Sequence, residues 1–280
     1  MEGTHIVVPP KSGATDAAAR IESPRHIPAA QLATRPPAPH AARIELTARR
    51  NYASSADGRA ARSHARGEMR WPLFTRIVGE MADAGVQELG LHYLGEPFLC
   101  DWLPDAVGHA KARGIPYVFL ATNGSVARPD RVRACLEAGL DCLEFAVDFA
   151  DAAQFRDLTG ANPALMGEGL ANLRAARRVR DEGGFSCALI ASSLRYDDGQ
   201  EERMAPLMAQ ILPYVDEHYW RALHRRGERH PIPCESLFTE AHVACDGTLS
   251  ACHFEPGGAY AMADLSLMSF MEGWHSERFA

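Results

Sequence analysis

The feature that most constrains the fold is a repeating order of short apolar runs and amphipathic segments. After Ile44–Thr47 come Glu88–Tyr93, Tyr117–Ala121, Cys142–Val147, Ser186–Ala191 and His218–Leu223, each a β-prone run. Helical spacing fills the intervals: Trp71–Ala84 with Phe74, Ile77, Val78 and Met81 on one stripe and Gly85 as its stop, then Trp102–Arg113, Pro129–Ala138, Ala164–Arg180 and Glu201–Leu212. Strands alternating with helices predict parallel β/α units. Six of them fit an open or partial barrel better than eight closed units. The expected fold class is therefore α/β, a partial (β/α)6 TIM-type barrel with a small C-terminal appendage. In such barrels chemistry collects where the strands end, and polar clusters fall there: Gly95-Glu96-Pro97, Thr122-Asn123-Gly124, Asp148 and Ser192-Ser193.

Outside this pattern the chain changes character. Residues 1–42 are rich in Ala, Pro, Arg and His, with Pro9-Pro10 and Pro36-Pro37 breaking helices, and read as a mostly disordered leader with a short strand at Ile6–Val8. Residues 43–225 form the expected barrel and 226–280 the appendage. The formal charge of −7 argues against a nucleic-acid partner. No run is long and apolar enough to span a bilayer, and no secretion signal opens the chain, so a cytoplasmic protein is expected. Reduced thiols follow for the seven cysteines, four of them single residues in apolar segments.

The stretch Ile44-Glu45-Leu46-Thr47-Ala48-Arg49-Arg50-Asn51-Tyr52-Ala53-Ser54-Ser55-Ala56-Asp57 resembles the first strand and cluster loop of the radical S-adenosylmethionine (SAM) family, ELT followed by CNxxCxxC. The three cysteine positions are occupied by Arg50, Ser54 and Asp57. Gly95-Glu96-Pro97 is similar to the family's GGE-type motif, whose backbone holds the SAM amine. Thr122-Asn123-Gly124 resembles its TNG turn, and Asp148 its ribose-contacting position. Cys234, Gly247 and Cys252, with Met271-Glu272-Gly273-Trp274, resemble the opening of a SPASM or twitch module, and the chain departs from that pattern at His253.

The resemblance implies SAM as cofactor, bound through Arg50, Tyr52, Gly95, Glu96, Pro97, Thr122, Asn123, Asp148 and Ser192. Iron–sulfur clusters select thiolates, and Arg50 has no acceptor atom at all, so no radical-SAM [4Fe–4S] cluster is expected. The plainer reading of Arg50 is a loop arginine; the sharper one is a guanidinium pairing with a carboxylate in the vacated place. Cys234, Cys245, Cys252 and His253 could hold zinc or a remnant cluster, against the alternative that Cys245 is a core residue and the others relics. His92, Glu96 and His218 are the acid–base candidates. Two functions compete. One is SAM-dependent polar chemistry, a transferase or cyclase acting on a small molecule or peptide in specialised metabolism. The other is an inactive paralogue serving as protein partner or regulator of an active radical SAM enzyme.

Overall fold

The computed structural model describes residue 27 and residues 29–52, 67–222, 236–250 and 260–278. The strand expected at Ile6–Val8 lies outside them, as do Ser54, Asp57, Cys234, Cys252 and His253. The fold is α/β with mostly parallel strands, as expected. The described residues divide into two compact units, one built from residues 27–50, 67–120 and 236–278, the other from 51–52 and 121–222.

In the first unit, β1 (Ala41–Ile44) lies between β2 (Glu88–Gly90) and β7 (Glu240–Val243), parallel to both. β3 (Tyr117–Thr122) flanks β2. β8 (Thr248–Ser250) and β9 (Ala261–Asp264) follow β7 in antiparallel order. Strand alternation splits this sheet cleanly. Ala42, Ile44, Leu89, Val118, Ala241 and Val243 are fully buried on one face. Arg43, Glu88, Glu240 and His242 share the other. Helix α1 (Trp71–Ala84) buries Phe74, Ile77, Val78 and Met81 and stops at Gly85 in the left-handed conformation (φ 90°), as read from the sequence. Helix α2 (Leu103–Ala112) follows the same plan with Leu103, Ala106, Val107 and Ala110.

Two boundaries differ from expectation. The first strand is Ala41–Ile44, not Ile44–Thr47, because its pairing with β2 ends at Arg43 and its pairing with β7 at Ile44. Thr47 then pairs with Glu68 in an isolated antiparallel bridge, and Met69 N–H bonds the Leu46 carbonyl. The leader is also partly built into the fold. Ala29–Leu32 forms a 3-10 turn, and the Pro36 and Pro37 carbonyls accept hydrogen bonds from His275 and the Trp274 indole. A proline segment has few amides of its own to pair, so it offers its carbonyls to neighbours.

The C-terminal segment continues this unit's sheet rather than standing apart. Residues 240–243 of β7 pair in register with 41–44. Helix α7 (Phe270–Trp274) opens with a Ser269/Glu272 capping box and buries Trp274 completely. The Phe270 amide also bonds Glu80 on α1 at 2.7 Å.

The second unit carries β4 (Cys142–Ala146), β5 (Ala188–Arg195) and β6 (Glu217–Ala222) in parallel, with α3 (Pro129–Glu137), α4 (Ala152–Thr159), α5 (Ala164–Gly183) and α6 (Gln200–Ile211). β5 extends past its expected end at Ala191, so Ser192 and Ser193 are strand residues. Helix α4 was not expected. Its marks are present in the sequence: Asp151 caps the Ala153 and Gln154 amides, and Gly160 ends it at φ 69°. Among the described residues, no helix is long and apolar enough to cross a membrane.

Candidate functional site

The loop chemistry of the first unit rests on Glu45. Its carboxylate is 1% exposed. Oε1 accepts from the Gly95 amide at 2.9 Å and Oε2 from the Cys245 amide at 3.2 Å. Gly95 sits so close to the first loop that a Cβ there would lie 1.7 Å from the Thr47 carbonyl oxygen. Its neighbour Glu96 donates its amide to the Arg49 carbonyl at 2.9 Å. The Gly95-Glu96-Pro97 loop is thus fastened to the chain just before Arg50, which is half-buried.

The acid–base candidates of this unit are occupied. Glu96 is 5% exposed, and its Oε1 caps the Phe98 amide at 3.1 Å, starting the 3-10 turn Pro97–Leu99. His92 meets Arg43 at 2.9 Å through Nε2. A guanidinium only donates, so Nε2 accepts and the ring proton sits on Nδ1. Arg43 donates a second bond to Glu240 at 2.8 Å and lies over the Phe119 ring, which also meets His92 edge-on. Glu96 Oε1 and His92 Nε2 each hold a hydrogen bond within the fold.

In the second unit three side chains close a ring of hydrogen bonds. Asn51 Nδ2 donates to Ser125 Oγ (2.6 Å), Ser125 Oγ to Asn123 Oδ1 (2.5 Å), and Asn123 Nδ2 to Asn51 Oδ1 (2.9 Å). Thr122 Oγ1 accepts from the Gly124 amide at 3.0 Å, and Gly124 adopts φ 78°. Helix α5 supports this turn from behind. Asn172 donates to the Gly124 carbonyl at 2.8 Å, and Gly169 has no side chain, where a Cβ would lie 3.0 Å from the Asn123 carbonyl. Tyr52 packs edge-on against Phe155, with ring centroids 5.0 Å apart. Tyr52, Asn123, Asp148, Phe149, Phe155 and Met166 help to line a small cleft. Three of the expected SAM-binding residues, Tyr52, Asn123 and Asp148, therefore share one cleft.

Asp148 accepts from Arg221 at 2.8 Å. Its carbonyl accepts from Gln200, a fully buried amide that also joins Gln154 of α4. Ser192 lies deeper than expected. It is fully buried, and its Oγ donates to Glu144 at 2.5 Å. His218 lies on the strand face opposite Tyr219, where Nε2 meets Ser193 Oγ at 3.0 Å. Ser193 spends its single proton on the Val147 carbonyl (2.7 Å), so His218 Nε2 is the donor. Burial pushes the imidazole pKa down to about 4 and keeps it neutral.

Among the described residues no three His, Cys, Asp or Glu side chains gather to hold a metal. Cys100, Cys135, Cys142, Cys187 and Cys245 are buried, and burial raises the Cys135 thiol to about 12. Cys245 is the one member of the expected metal set that is described, and it is a buried core residue whose amide bonds Glu45.

No family model matches the chain. It is 30% identical over 139 residues to a GTP 3',8-cyclase of Mycobacterium sp. (strain KMS), covering 45% of this chain and 38% of that relative. It is 32% identical over 117 residues to a PqqA peptide cyclase of Streptomyces rochei, covering 41% and 30%. The similarity thus spans well under half the length of these curated relatives. Among solved structures, BtrN in complex with AdoMet and 2-DOIA superposes with a TM-score of 0.59 at 14% identity, over 86% of this chain and 83% of that one. Streptococcus suis SuiB bound to precursor peptide SuiA gives 0.63 at 11%, over 86% and 65%. The fold is that of the radical SAM enzymes. At these identities the structural likeness speaks for the fold alone.

Several residues that build the radical-SAM-like loops went unread in the sequence. Glu45 was noted only as part of the ELT run, and Ser125, Glu144, Gln200 and Arg221 not at all. Ser125 follows the TNG turn directly, and Arg221 follows the His218-Tyr219-Trp220 run by one residue. Glu144 carried the clearest signal, a carboxylate inside the apolar run Cys142–Val147.

Proposed function

We propose that this chain binds SAM without a [4Fe–4S] cluster and directs it into polar chemistry on a small molecule or peptide. One observation carries the reading. Arg50, a residue that cannot ligate iron, stands where the resemblance places the first thiolate, while its neighbour Asn51 is locked into the ring with Asn123 and Ser125. The loops that would hold SAM are kept in shape by bonds that need no metal. When bound, SAM offers sulfonium carbons that react with a positioned nucleophile and need no electron source. Tyr52, Asn123 and Asp148 would hold the nucleoside end, and the Gly95-Glu96-Pro97 backbone the amine. Arg50 would pair with the carboxylate. A substrate modified in specialised metabolism accords with the PqqA peptide cyclase similarity and with the peptide seated on SuiB.

The engagement of His92, Glu96 and His218 in internal bonds favours a second reading, an inactive paralogue that partners an active radical SAM enzyme. Calorimetric titration with SAM decides between them. One-to-one binding, weakened at least fivefold in Arg50→Ala, with S-adenosylhomocysteine or methylthioadenosine formed in the presence of substrate, supports the enzyme. No heat, together with co-purification of a second radical-SAM-type protein, supports the partner. A brown protein after anaerobic reconstitution, whose spin-resonance signal shifts with SAM, would overturn both.

A further inference from the structure

The loop that follows β4 has its main chain pinned from three sides. Val147 donates its amide to the Ser192 carbonyl at 2.8 Å, and its own carbonyl accepts from Ser193 Oγ at 2.7 Å. The Asp148 carbonyl accepts from Gln200 Nε2 at 3.3 Å, and the Ala150 amide donates to Gln154 Oε1 at 2.7 Å. Gln154 and Gln200 bond each other, joining the starts of α4 and α6. These bonds fix where Asp148 stands, but none of them touches its carboxylate.

The carboxylate is set by Arg221. Arg221 shares a face of β6 with Tyr219 and lies beside Leu194 of β5 in the register. Its Nη2 reaches past β5 to Asp148 Oδ1 at 2.8 Å, as Tyr219 reaches past β5 to Glu144. The Asp148 side chain is 17% exposed and lines the cleft with Phe149, Phe155 and Met166. Its Oδ2 holds no hydrogen bond among the described residues. Two lone pairs are therefore left to accept from a ligand in the cleft. The guanidinium already balances the carboxylate charge, so the open oxygen favours neutral O–H donors over a second cation.

We infer that Arg221 is a positioning residue for nucleoside recognition: by holding Oδ1 it presents Asp148 Oδ2 to the two adjacent hydroxyls of a ribose. This deepens the SAM reading above and rests on its placing the nucleoside end at Asp148. Without Arg221 the carboxylate is free to turn among its side-chain rotamers, and the acceptor is no longer held for the diol.

The test titrates the full chain with adenosine and with 2′-deoxyadenosine, which lacks one hydroxyl of the pair, by ligand-observed NMR, and with SAM by calorimetry. Wild type is expected to bind adenosine about tenfold more tightly than the deoxynucleoside, the worth of one hydrogen bond to a charged group. In Arg221→Met, which keeps the apolar stem and loses the donors, the ratio falls to about twofold while 2′-deoxyadenosine binds as before. Arg221→Lys returns one donor to Oδ1 and restores part of the ratio. A merely structural role would weaken both nucleosides alike, so a ratio that survives in Arg221→Met overturns the inference. A wild type that binds both nucleosides equally overturns it without any variant. In both cases SAM binding by the wild type leaves the SAM reading standing. A ratio that depends on Arg221 in a protein that takes up no SAM keeps the positioning role and discards the SAM reading. A wild type that binds none of the three ligands overturns both.

Discussion

Glu45 and Gly95 are joined across fifty residues of chain by a 2.9 Å bond from the Gly95 amide to Glu45 Oε1, and the second carboxylate oxygen reaches 200 residues on to the Cys245 amide. One buried side chain therefore fixes the first loop, the Gly95-Glu96-Pro97 loop and the end of β7. Removing it strands buried donors, and each orphaned donor costs about 1–3 kcal/mol. Glu45→Ala should lower unfolding free energy by about 2–6 kcal/mol on the same reckoning for two donors. Glu45→Gln keeps one acceptor and should lose less. Urea unfolding of both variants checks this; an Ala variant as stable as wild type contradicts the role.

Gly95 and Gly85 make a matched pair of glycines with different reasons for being glycine. At Gly95 a Cβ would meet the Thr47 carbonyl at 1.7 Å, so alanine forces the two loops apart. Gly85 has open space around it but sits at φ 90°. Gly85→Ala should cost about 1–2 kcal/mol for the left-handed backbone. Gly95→Ala should exceed that, about 3 kcal/mol as overpacking against rigid backbone, and should also weaken SAM binding. Thermal melts with SAM titration separate the two; equal losses would mean that the Gly95 loop relaxes freely.

The Asn51–Ser125–Asn123 ring predicts a graded response. Asn123→Ala removes a donor and an acceptor at once, and about 1–3 kcal/mol of stability is expected to go with them. Asn123→Asp keeps Oδ1 for Ser125 but loses the donor to Asn51, so the first loop alone is released. Hydrogen exchange of the Asn51 and Tyr52 amides should quicken in both variants, while the Ser125 amide, held by Oδ1 at 3.0 Å, should quicken in Asn123→Ala only. Identical exchange in the two variants would show that the ring does not hold the loop.

The order of strands and helices was legible because burial is periodic: Phe74, Ile77, Val78 and Met81 declare a helix whatever surrounds them. The loops were half legible. Gly95 and Asn123 stood out by type and position, but their partners Glu45 and Asn51 lie 50 and 72 residues away, beyond any local pattern. The neighbours of His218 were not legible for a related reason: what a strand face meets depends on its register with the next strand, and the register of β6 with β5 turns Tyr219 toward Glu144 and His218 toward Ser193.

His218 supplies the clearest pH signature. Its pKa falls from 6.5 to about 4 on folding because burial disfavours the imidazolium. The unfolded chain takes up the proton first as acid is added. Its contribution is therefore complete above pH 6.5, shrinks as pH falls below that value, and is lost once pH reaches the folded pKa near 4. A gap of this size corresponds to about 3 kcal/mol between the two ends of the window. His218→Gln keeps an Nε2 donor for Ser193 but cannot titrate. The stability difference between wild type and His218→Gln should therefore be flat from pH 8 to about 6.5 and then move steadily in favour of the variant toward pH 4. Urea midpoints taken along this series give the curve directly. A difference that stays constant across the window would mean that folding leaves the imidazole pKa where it is in the unfolded chain, and the buried neutral His218 would be wrong.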